Sequence, residues 1–152
     1  EVVRLRRKEG RETAREVRGH LRTIQRAVAR AEVRYRRQPS RLRSRLEKRL
    51  RDQNGVPTLS GARLAEEASL LAQRYDLGEE IARLKTHLDS LQGLVSSRGT
   101  EPVGKKLDFL AQELYREANT LGSKSQDIRI TKESLAIKNE LETIRQHIQN
   151  IE

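Results

Sequence analysis

Two glutamates, Glu113 and Glu117, stand four residues apart in a segment whose apolar residues repeat with helical spacing. Residues at this spacing are neighbours on an α-helix, and like charges there disfavour the helix slightly. Arg116 offers one compensating charge. A divalent cation offers another, because Mg²⁺ and Mn²⁺ prefer oxygen ligands. The pair is therefore a candidate metal site beside a buried face made of Val103, Leu107, Leu110, Leu114, Ala118 and Leu121.

A second polar row occurs in the preceding segment, at Asp76, Glu80, Arg83 and His87. It borders an apolar stripe of Leu77, Ile81, Leu84, Leu88, Leu91 and Val95. Polar groups beside a buried seam are partly removed from water, where carboxylates and a histidine can change their proton affinity or bind metal. The alternative is a solvated flank on which Glu79 pairs with Arg83, worth roughly a few tenths of a kcal/mol. Spacing alone favours this alternative.

The ends of the predicted helices carry lysines that could bind a phosphate and residues that could cap the helices. Lys105 and Lys106 stand near the start of the helix that holds the glutamate pair, where lysines and backbone N–H groups can receive a phosphate. Two solvent-exposed lysines explain the same pattern almost equally well. Gly122 is expected to end that helix as its C-cap, and Thr131 and Ser134 are expected to cap the last helix.

Composition favours helices and a polyanionic partner. Charged residues make up 36% of the 152-residue chain and apolar residues 34%, which suits long amphipathic helices that pack together. The first fifty residues hold 18 Arg or Lys against 6 Asp or Glu, whereas the remaining residues have a slightly negative balance. Such a basic arm attracts RNA or DNA. An arginine-rich surface paired with acidic residues of a neighbouring or missing chain is an equally open explanation.

The apolar spacing predicts an all-α fold of long amphipathic helices. Residues 1–59 are expected to form a basic helical hairpin arm, in which Pro39 ends the first helix and Ser40 caps the second. Residues 60–152 are expected to form a helical bundle domain that carries the candidate site. The seam of its last helix is Ile137, Leu141, Ile144, Ile148 and Ile151.

Several classes of protein are unsupported by the sequence. The absence of cysteine excludes disulfides, thiolate catalysis and zinc–thiolate sites. Neither a glycine-rich phosphate loop nor an HExxH zinc motif occurs, so a nucleotide-dependent enzyme is unsupported. Without an apolar run of membrane-spanning length or a signal-type N-terminus, we expect a cytoplasmic protein with no membrane partner. Methionine is absent even at position 1, so an N-terminal part is expected to be missing.

Three longer segments carry a specific pattern: DLGEEIARLKTHL, VGKKLDFLAQELYREANTLGSKS and IKNELETIRQHIQNIE. They resemble the YicC/YloC family of bacterial endoribonucleases, closely over residues 75–152 and more loosely before them. The resemblance implies a cytoplasmic, metal-dependent enzyme that cleaves single-stranded RNA and assembles as a homo-hexamer. It also implies a mixed α/β N-terminal domain outside this chain. Gln146 and His147 depart from the family's usual Glu and Gln, which puts an acidic role at position 146 in doubt.

The resemblance turns the two polar helix faces into the two sides of one expected site. Carboxylates on facing helices can hold a divalent ion that activates water at a phosphodiester. The expected ligands of Mn²⁺ or Mg²⁺ are Asp76, Glu80, Glu113 and Glu117. The expected catalytic set is Glu80, Glu113 and Glu117 with His87 as general base or remaining ligand. The expected contacts to RNA phosphates are Arg83, Arg116, Lys106 and Lys124.

Two other classes of function stay open. The protein is a non-catalytic RNA-binding regulator if it binds RNA but leaves cleavage to another nuclease. It is a structural helical oligomer if acidic partners, rather than RNA, compete for the basic arm.

Overall fold

The computed structural model describes residues 2–54, 61–74, 76–97 and 104–149. Within these ranges the chain forms six α-helices and no strand, which confirms the all-α prediction. The helices are α1 (Val2–Arg36), α2 (Gln38–Asn54), α3 (Gly61–Arg74), α4 (Gly78–Ser96), α5 (Gly104–Lys124) and α6 (Ile128–Gln149). Two predicted seam residues, Val103 and Ile151, lie outside the described ranges. None of the described helices is long and apolar enough to cross a membrane.

Four helices, α1, α4, α5 and α6, form a bundle in which each packs against two others. α6 and α4 lie on opposite sides, and each contacts both α1 and α5. The predicted apolar stripes face inward, because residues spaced three and four apart fall on one side of a helix. The stripes of α4, α5 and α6 meet in the core through Leu84, Leu91, Leu114, Leu121, Ile137, Leu141 and Ile144.

The first helix is part of this bundle. Its apolar stripe is buried in the same core: Val17, Leu21, Ile24, Val28 and Ala31. α2 packs mainly against α3, and it contacts α1 much less. The packing therefore divides the chain differently from the expected hairpin arm over residues 1–59, because the bundle needs the α1 stripe to close its core. α2 and α3 pack against each other instead.

The turn between α1 and α2 lies where Pro39 predicts it. α1 ends at Arg36, and α2 begins two residues later with Pro39 in its first turn. Proline is tolerated there because the first N–H groups of a helix have no intrahelical partner. Ser40, expected as the cap, lies inside α2, and its carbonyl accepts the Ser44 hydroxyl at 3.0 Å.

The last helix is capped by a residue that the sequence prediction missed. Asp127 precedes α6, and its Oδ1 accepts the Arg129 N–H at 2.9 Å. The Thr131 hydroxyl donates to the Asp127 carbonyl at 3.3 Å, and Ser134 lies deeper in the helix. The expected caps, Thr131 and Ser134, are therefore replaced by Asp127, which directly precedes the first helical residue.

Gly122 lies inside α5 and does not end it. The helix continues to Lys124, and Gly122 faces Ser134 of α6. A Cβ at position 122 would come within 2.5 Å of Ser134 Oγ and 3.1 Å of Ser134 Cβ. Ser134 is buried, and it donates its hydroxyl to the Ala118 carbonyl at 2.5 Å. Gly122 therefore permits the close approach of α5 and α6.

Ion pairs join arginines of α1 to an acid of α6 and to the residue that caps it. Arg30 donates to both oxygens of Glu133 at 2.8 Å, and Arg34 pairs with Asp127 at 2.7 Å. Exposed pairs of this kind typically contribute about 0–1 kcal/mol each. Part of the arginine-rich surface is therefore paired within the chain itself.

Candidate functional site

Polar side chains of α4 and α5 meet beside the core and form what we call the α4–α5 site: Glu80, Arg83, Glu117 and Lys124. Lys124 Nζ donates to Glu80 Oε1 at 2.9 Å. Further along α4, Arg83 NH1 lies 3.5 Å from Glu117 Oε1. The two contacts occur in opposite order along the two helices, as they do when helices run antiparallel.

The carboxylates of this site are buried, and its cations reach solvent. Glu80 and Glu117 are 7% and 6% exposed. The side chains of Lys124 and Arg83 are 41% and 55% exposed. Long cationic side chains can cover a buried group while their charged ends stay in water. An anion in solution can therefore reach the cations of the site more easily than its carboxylates.

One oxygen of Glu80 has no visible partner. Glu80 Oε2 is buried and forms no hydrogen bond to any described residue. Buried charged groups are nearly always paired, since an unpaired one costs on the order of several kcal/mol. A water, a proton or a cation would satisfy this oxygen, so the arrangement is suited to proton transfer or to cation binding.

Asp76 links α1 to the start of α4. Its Oδ1 accepts the Tyr35 hydroxyl and, at 2.8 Å, the Gly78 N–H. Burial and the hydrogen bond to Asp76 raise the pKa of Tyr35 to about 12. The same hydrogen bond, together with the Gly78 N–H, lowers the pKa of Asp76. One oxygen of Asp76, an expected metal ligand, is therefore engaged in joining two helices.

Gly78 gives this link the room it needs. A Cβ there would lie 3.1 Å from Asp76 Oδ1 and 3.2 Å from the Tyr35 hydroxyl oxygen. Both distances are closer than ordinary van der Waals contact, so any larger residue would push the Tyr35 and Asp76 side chains apart.

Arg83 holds two carboxylates at once. Besides Glu117, it donates to Glu79 one turn earlier on α4. The flank pair that spacing favours is therefore confirmed. The same guanidinium also reaches the buried carboxylate of the facing helix, which the spacing within α4 could not indicate.

Glu113 and His87 lie one helical turn beyond this contact. Glu113 precedes Glu117 by four residues on α5, and His87 follows Arg83 by four on α4, so each is about 6 Å further along its helix. Both are half-buried, and neither side chain has a hydrogen bond or ion pair to another described residue. Their position continues the α4–α5 site without joining its ion pairs.

The expected metal ligands are not gathered into a cage. Among the described residues, no group of three His, Asp or Glu side chains is placed to hold a metal ion. Asp76 is bound by Tyr35, Glu80 by Lys124 and Glu117 by Arg83. Two buried carboxylates, Glu80 and Glu117, lie along the site. Mg²⁺ is often held by one or two protein carboxylates and completes its shell with water and phosphate oxygens.

Two expected phosphate contacts lie away from the site. Lys106 is eleven residues before Glu117, about 16 Å along α5. Arg116 is adjacent to Glu117 in sequence but about 100° around the helix, and its side chain is exposed. Lys124 and Arg83 are the expected phosphate-binding residues that the structure brings together with buried carboxylates.

Tyr35 is the residue of this region that the sequence prediction missed. It stands 41 residues before Asp76, in the arginine-rich helix α1. Tyr35 follows the buried Ala31 by four residues and packs against the core. The apolar stripe of α1 therefore continues to Tyr35, and this spacing predicts that the Tyr35 side chain points inward.

Fold and site together define a class: an all-α bundle protein with buried carboxylates beneath exposed cations, between two antiparallel helices. The family model described as "Endoribonuclease YicC-like, C-terminal" matches residues 24–152. The chain belongs to this family, which confirms the resemblance carried by its three segments.

Two curated relatives share part of the chain. A protein of Clostridioides difficile named "Probable endoribonuclease YicC" is 47% identical over 90 residues, which cover 59% of this chain and 30% of that protein. A protein of Haemophilus influenzae with the same name is 44% identical over 94 residues, covering 62% of this chain and 32% of that protein. The matching region therefore spans about a third of the length of each relative.

Proposed function

We propose that this chain carries the RNA-cleaving site of an endoribonuclease that hydrolyses phosphodiester bonds of single-stranded RNA. Membership of the YicC-like family supports the reaction class. The observation that carries the proposal is Glu80, a 7% exposed carboxylate with one oxygen that no described residue satisfies. An unsatisfied buried polar atom calls for an explanation, and a catalytic role or a bound ion supplies one.

Substrate binding and activation of the site are linked in this proposal. Lys124 and Arg83 are exposed enough to bind an RNA phosphate, and charge-assisted hydrogen bonds to phosphate are strong. A phosphate that takes these two cations leaves Glu80 and Glu117 without their countercharges. Buried carboxylates in that state attract a cation, because a cation removes the uncompensated charge.

A divalent cation, Mn²⁺ or Mg²⁺, is part of the proposal. Glu80 and Glu117 would hold it, with Glu113 one turn away and Asp76 available through its second oxygen. Such an ion supplies charge neutralisation at the scissile phosphate and activates water. His87 is proposed as the general base, because an imidazole beside the site can accept the proton of the attacking water.

Assembly and location complete the proposal. The whole protein is proposed to form a homo-oligomer, a hexamer, in the cytoplasm. Large apolar side chains on the described surface support an interface with other copies: Phe109, Ile128 and Leu135 are 60%, 67% and 55% exposed. The basic residues of α1 and α2 that pair with no acidic side chain among the described residues are proposed to guide RNA toward the site.

The direct test incubates the purified chain with unstructured single-stranded RNA and Mn²⁺, Mg²⁺ or EDTA. The proposal expects shorter RNA products with a divalent cation and none with EDTA. RNA that is bound but never cut would instead support the RNA-binding regulator, which the formal net charge of +10 favours as a second candidate. A chain that neither binds nor cuts RNA would support the helical scaffold.

A further inference from the structure

A groove of about 460 Å³ opens where α1, α2 and the connection between α5 and α6 meet. Three arginines line it: Arg34 from α1, and Arg41 and Arg45 from α2. Among the described lining residues, Asp127 is the one acid. The described lining therefore has a formal charge of +2, concentrated in guanidinium groups.

Asp127 holds two of these arginines in place. Its Oδ2 lies 2.7 Å from Arg34 NH2 and 3.2 Å from Arg41 NH1. Burial of Asp127 opposes its ionisation, but the Arg129 N–H and the Arg34 guanidinium outweigh burial and lower its pKa. Asp127 therefore stays ionised at neutral pH, and the two guanidinium groups are fixed before any ligand arrives.

Arg45 is the unoccupied cation of the groove. It lies one turn after Arg41 on the same side of α2, and its side chain is exposed. The side chain of Arg45 forms no hydrogen bond or ion pair with any other described residue. Its donors are therefore available to an anion that enters the groove.

The lining selects the chemistry of the ligand. Guanidinium groups present parallel N–H donors that match the oxygens of a phosphate. The hydroxyl-bearing residues Ser40 and Ser44 also line the groove. No aromatic side chain occurs among the described lining residues, so the groove has no surface on which a base would stack. It suits a phosphate group and does not read sequence.

The groove adjoins the α4–α5 site along the chain. Arg34 directly precedes Tyr35, and Asp127 follows Lys124 by three residues. Three residues of chain span at most about 11 Å. A strand whose phosphate is held by the arginines therefore has neighbouring nucleotides close to Lys124.

We propose that this arginine groove binds a phosphate group of the RNA strand and holds that strand beside the α4–α5 site. The inference rests on the proposed RNA substrate and adds a specific position on the protein for one of its phosphates. The phosphate comes from an internal phosphodiester or from a 5′-terminal phosphate, and the experiment distinguishes the two.

The test measures RNA binding in EDTA, where no divalent cation is free, for the full chain and two variants. Arg45→Gln removes the available cation of the groove. Arg43→Gln removes the same charge from the same helix, but Arg43 lies outside the groove and pairs with Glu47 at 3.3 Å. Fluorescence anisotropy with a 3′-labelled single-stranded RNA gives the affinity over a range of salt concentrations. Circular dichroism checks that both variants are folded.

The groove predicts different results for the two variants. Arg45→Gln should weaken RNA binding about 10-fold or more, since one charge-assisted contact is lost. It should also reduce the slope of log affinity against log salt by about 0.7, the value for one contact to a single strand. Arg43→Gln should change the affinity by less than about 2-fold, because an exposed charge outside the groove is largely screened.

Measuring the binding of RNAs with and without a 5′ phosphate distinguishes the two sources of the phosphate. An effect of Arg45→Gln on both RNAs identifies an internal phosphodiester, and an effect confined to the 5′-phosphorylated RNA identifies the strand end. If both variants weaken RNA binding equally, or if Arg45→Gln does not weaken it, the proposal that the groove binds RNA is wrong. Binding that depends on Arg45, together with no cleavage when Mn²⁺ or Mg²⁺ replaces EDTA, keeps the groove and contradicts the nuclease. If Arg45→Gln leaves RNA cleavage unaffected, the proposed role of the groove is wrong, whereas the proposed nuclease function is not contradicted.

Discussion

Lys124 donates a hydrogen bond to Glu80 from a side chain that is 41% exposed to one that is 9% exposed. The second oxygen of Glu80 is buried and meets no described partner. The pair is unequal. The lysine can be hydrated without the glutamate, whereas the Glu80 carboxylate has no hydrogen bond to any described residue besides the one from Lys124. The two residues should therefore affect stability differently.

Replacing each member of this pair tests that inequality. Lys124→Met leaves a buried carboxylate without a partner, so the free energy of unfolding should fall by about 1–3 kcal/mol. Glu80→Gln removes the buried charge and should change it by less than about 1 kcal/mol. Urea unfolding at pH 7, followed by circular dichroism, gives both values. Greater destabilisation by Glu80→Gln than by Lys124→Met would show that the carboxylate is a net stabilising group.

The hydrogen bond between Tyr35 and Asp76 should make stability depend on pH in the alkaline range. Tyr35→Phe should lower the free energy of unfolding by about 1 kcal/mol at pH 7. The pKa of Tyr35 is raised from 10.0 to about 12 on folding. Its contribution is therefore fully present below pH 10 and is lost as the pH rises toward 12. A difference between the wild type and Tyr35→Phe that stays constant from pH 8 to 12 contradicts this assignment.

The contact of Gly122 with Ser134 predicts that a substitution in α6 partly restores the stability lost by a substitution in α5. Gly122→Ala should lower the free energy of unfolding by about 1–3 kcal/mol, because the added methyl group meets a buried side chain. Adding Ser134→Gly removes the atoms that it meets, so the double variant should lose less than the sum of the single variants. Thermal and urea unfolding of all three variants measure the coupling.

A second glycine provides the control for this prediction. Gly93 lies inside α4, and a Cβ there would meet nothing within 4 Å. Gly93→Ala should therefore stabilise the protein by roughly 0.5–1 kcal/mol, because alanine has the higher helix propensity. Strict additivity of Gly122→Ala and Ser134→Gly would contradict the proposed close contact.

Much of the fold follows from local sequence patterns. The apolar spacing that defines α1, α4, α5 and α6 also identifies the faces that they bury, since burial of one stripe requires that repeat. The role of Gly122 does not follow from such a pattern. A glycine that ends a helix and one that admits a neighbouring helix look alike in sequence, and only the position of Ser134 distinguishes them.

The candidate site could be predicted one helix at a time. Spacing placed Glu80 and Arg83 on one face of α4, and Glu117 on one face of α5. The partners across the interface depend on how far α4 is shifted along α5, which the core side chains determine together. Lys124 therefore pairs with Glu80, a partner that the phosphate contact expected from the family resemblance does not indicate. Tyr35 reaches Asp76 from a helix that is distant in sequence, so no local pattern could identify the pair.

The central claim is that the buried carboxylates of the α4–α5 site cleave RNA. The most direct measurement is the single-turnover rate of RNA cleavage, with Mn²⁺ or Mg²⁺, by the wild type, Glu80→Gln and Glu117→Gln. Glu142→Gln, an exposed carboxylate of α6, is the control. The account predicts that both site variants remain folded and bind RNA but cleave at least about 100-fold more slowly, while Glu142→Gln cleaves normally. Folded Glu80→Gln and Glu117→Gln variants that cleave at the wild-type rate would contradict it.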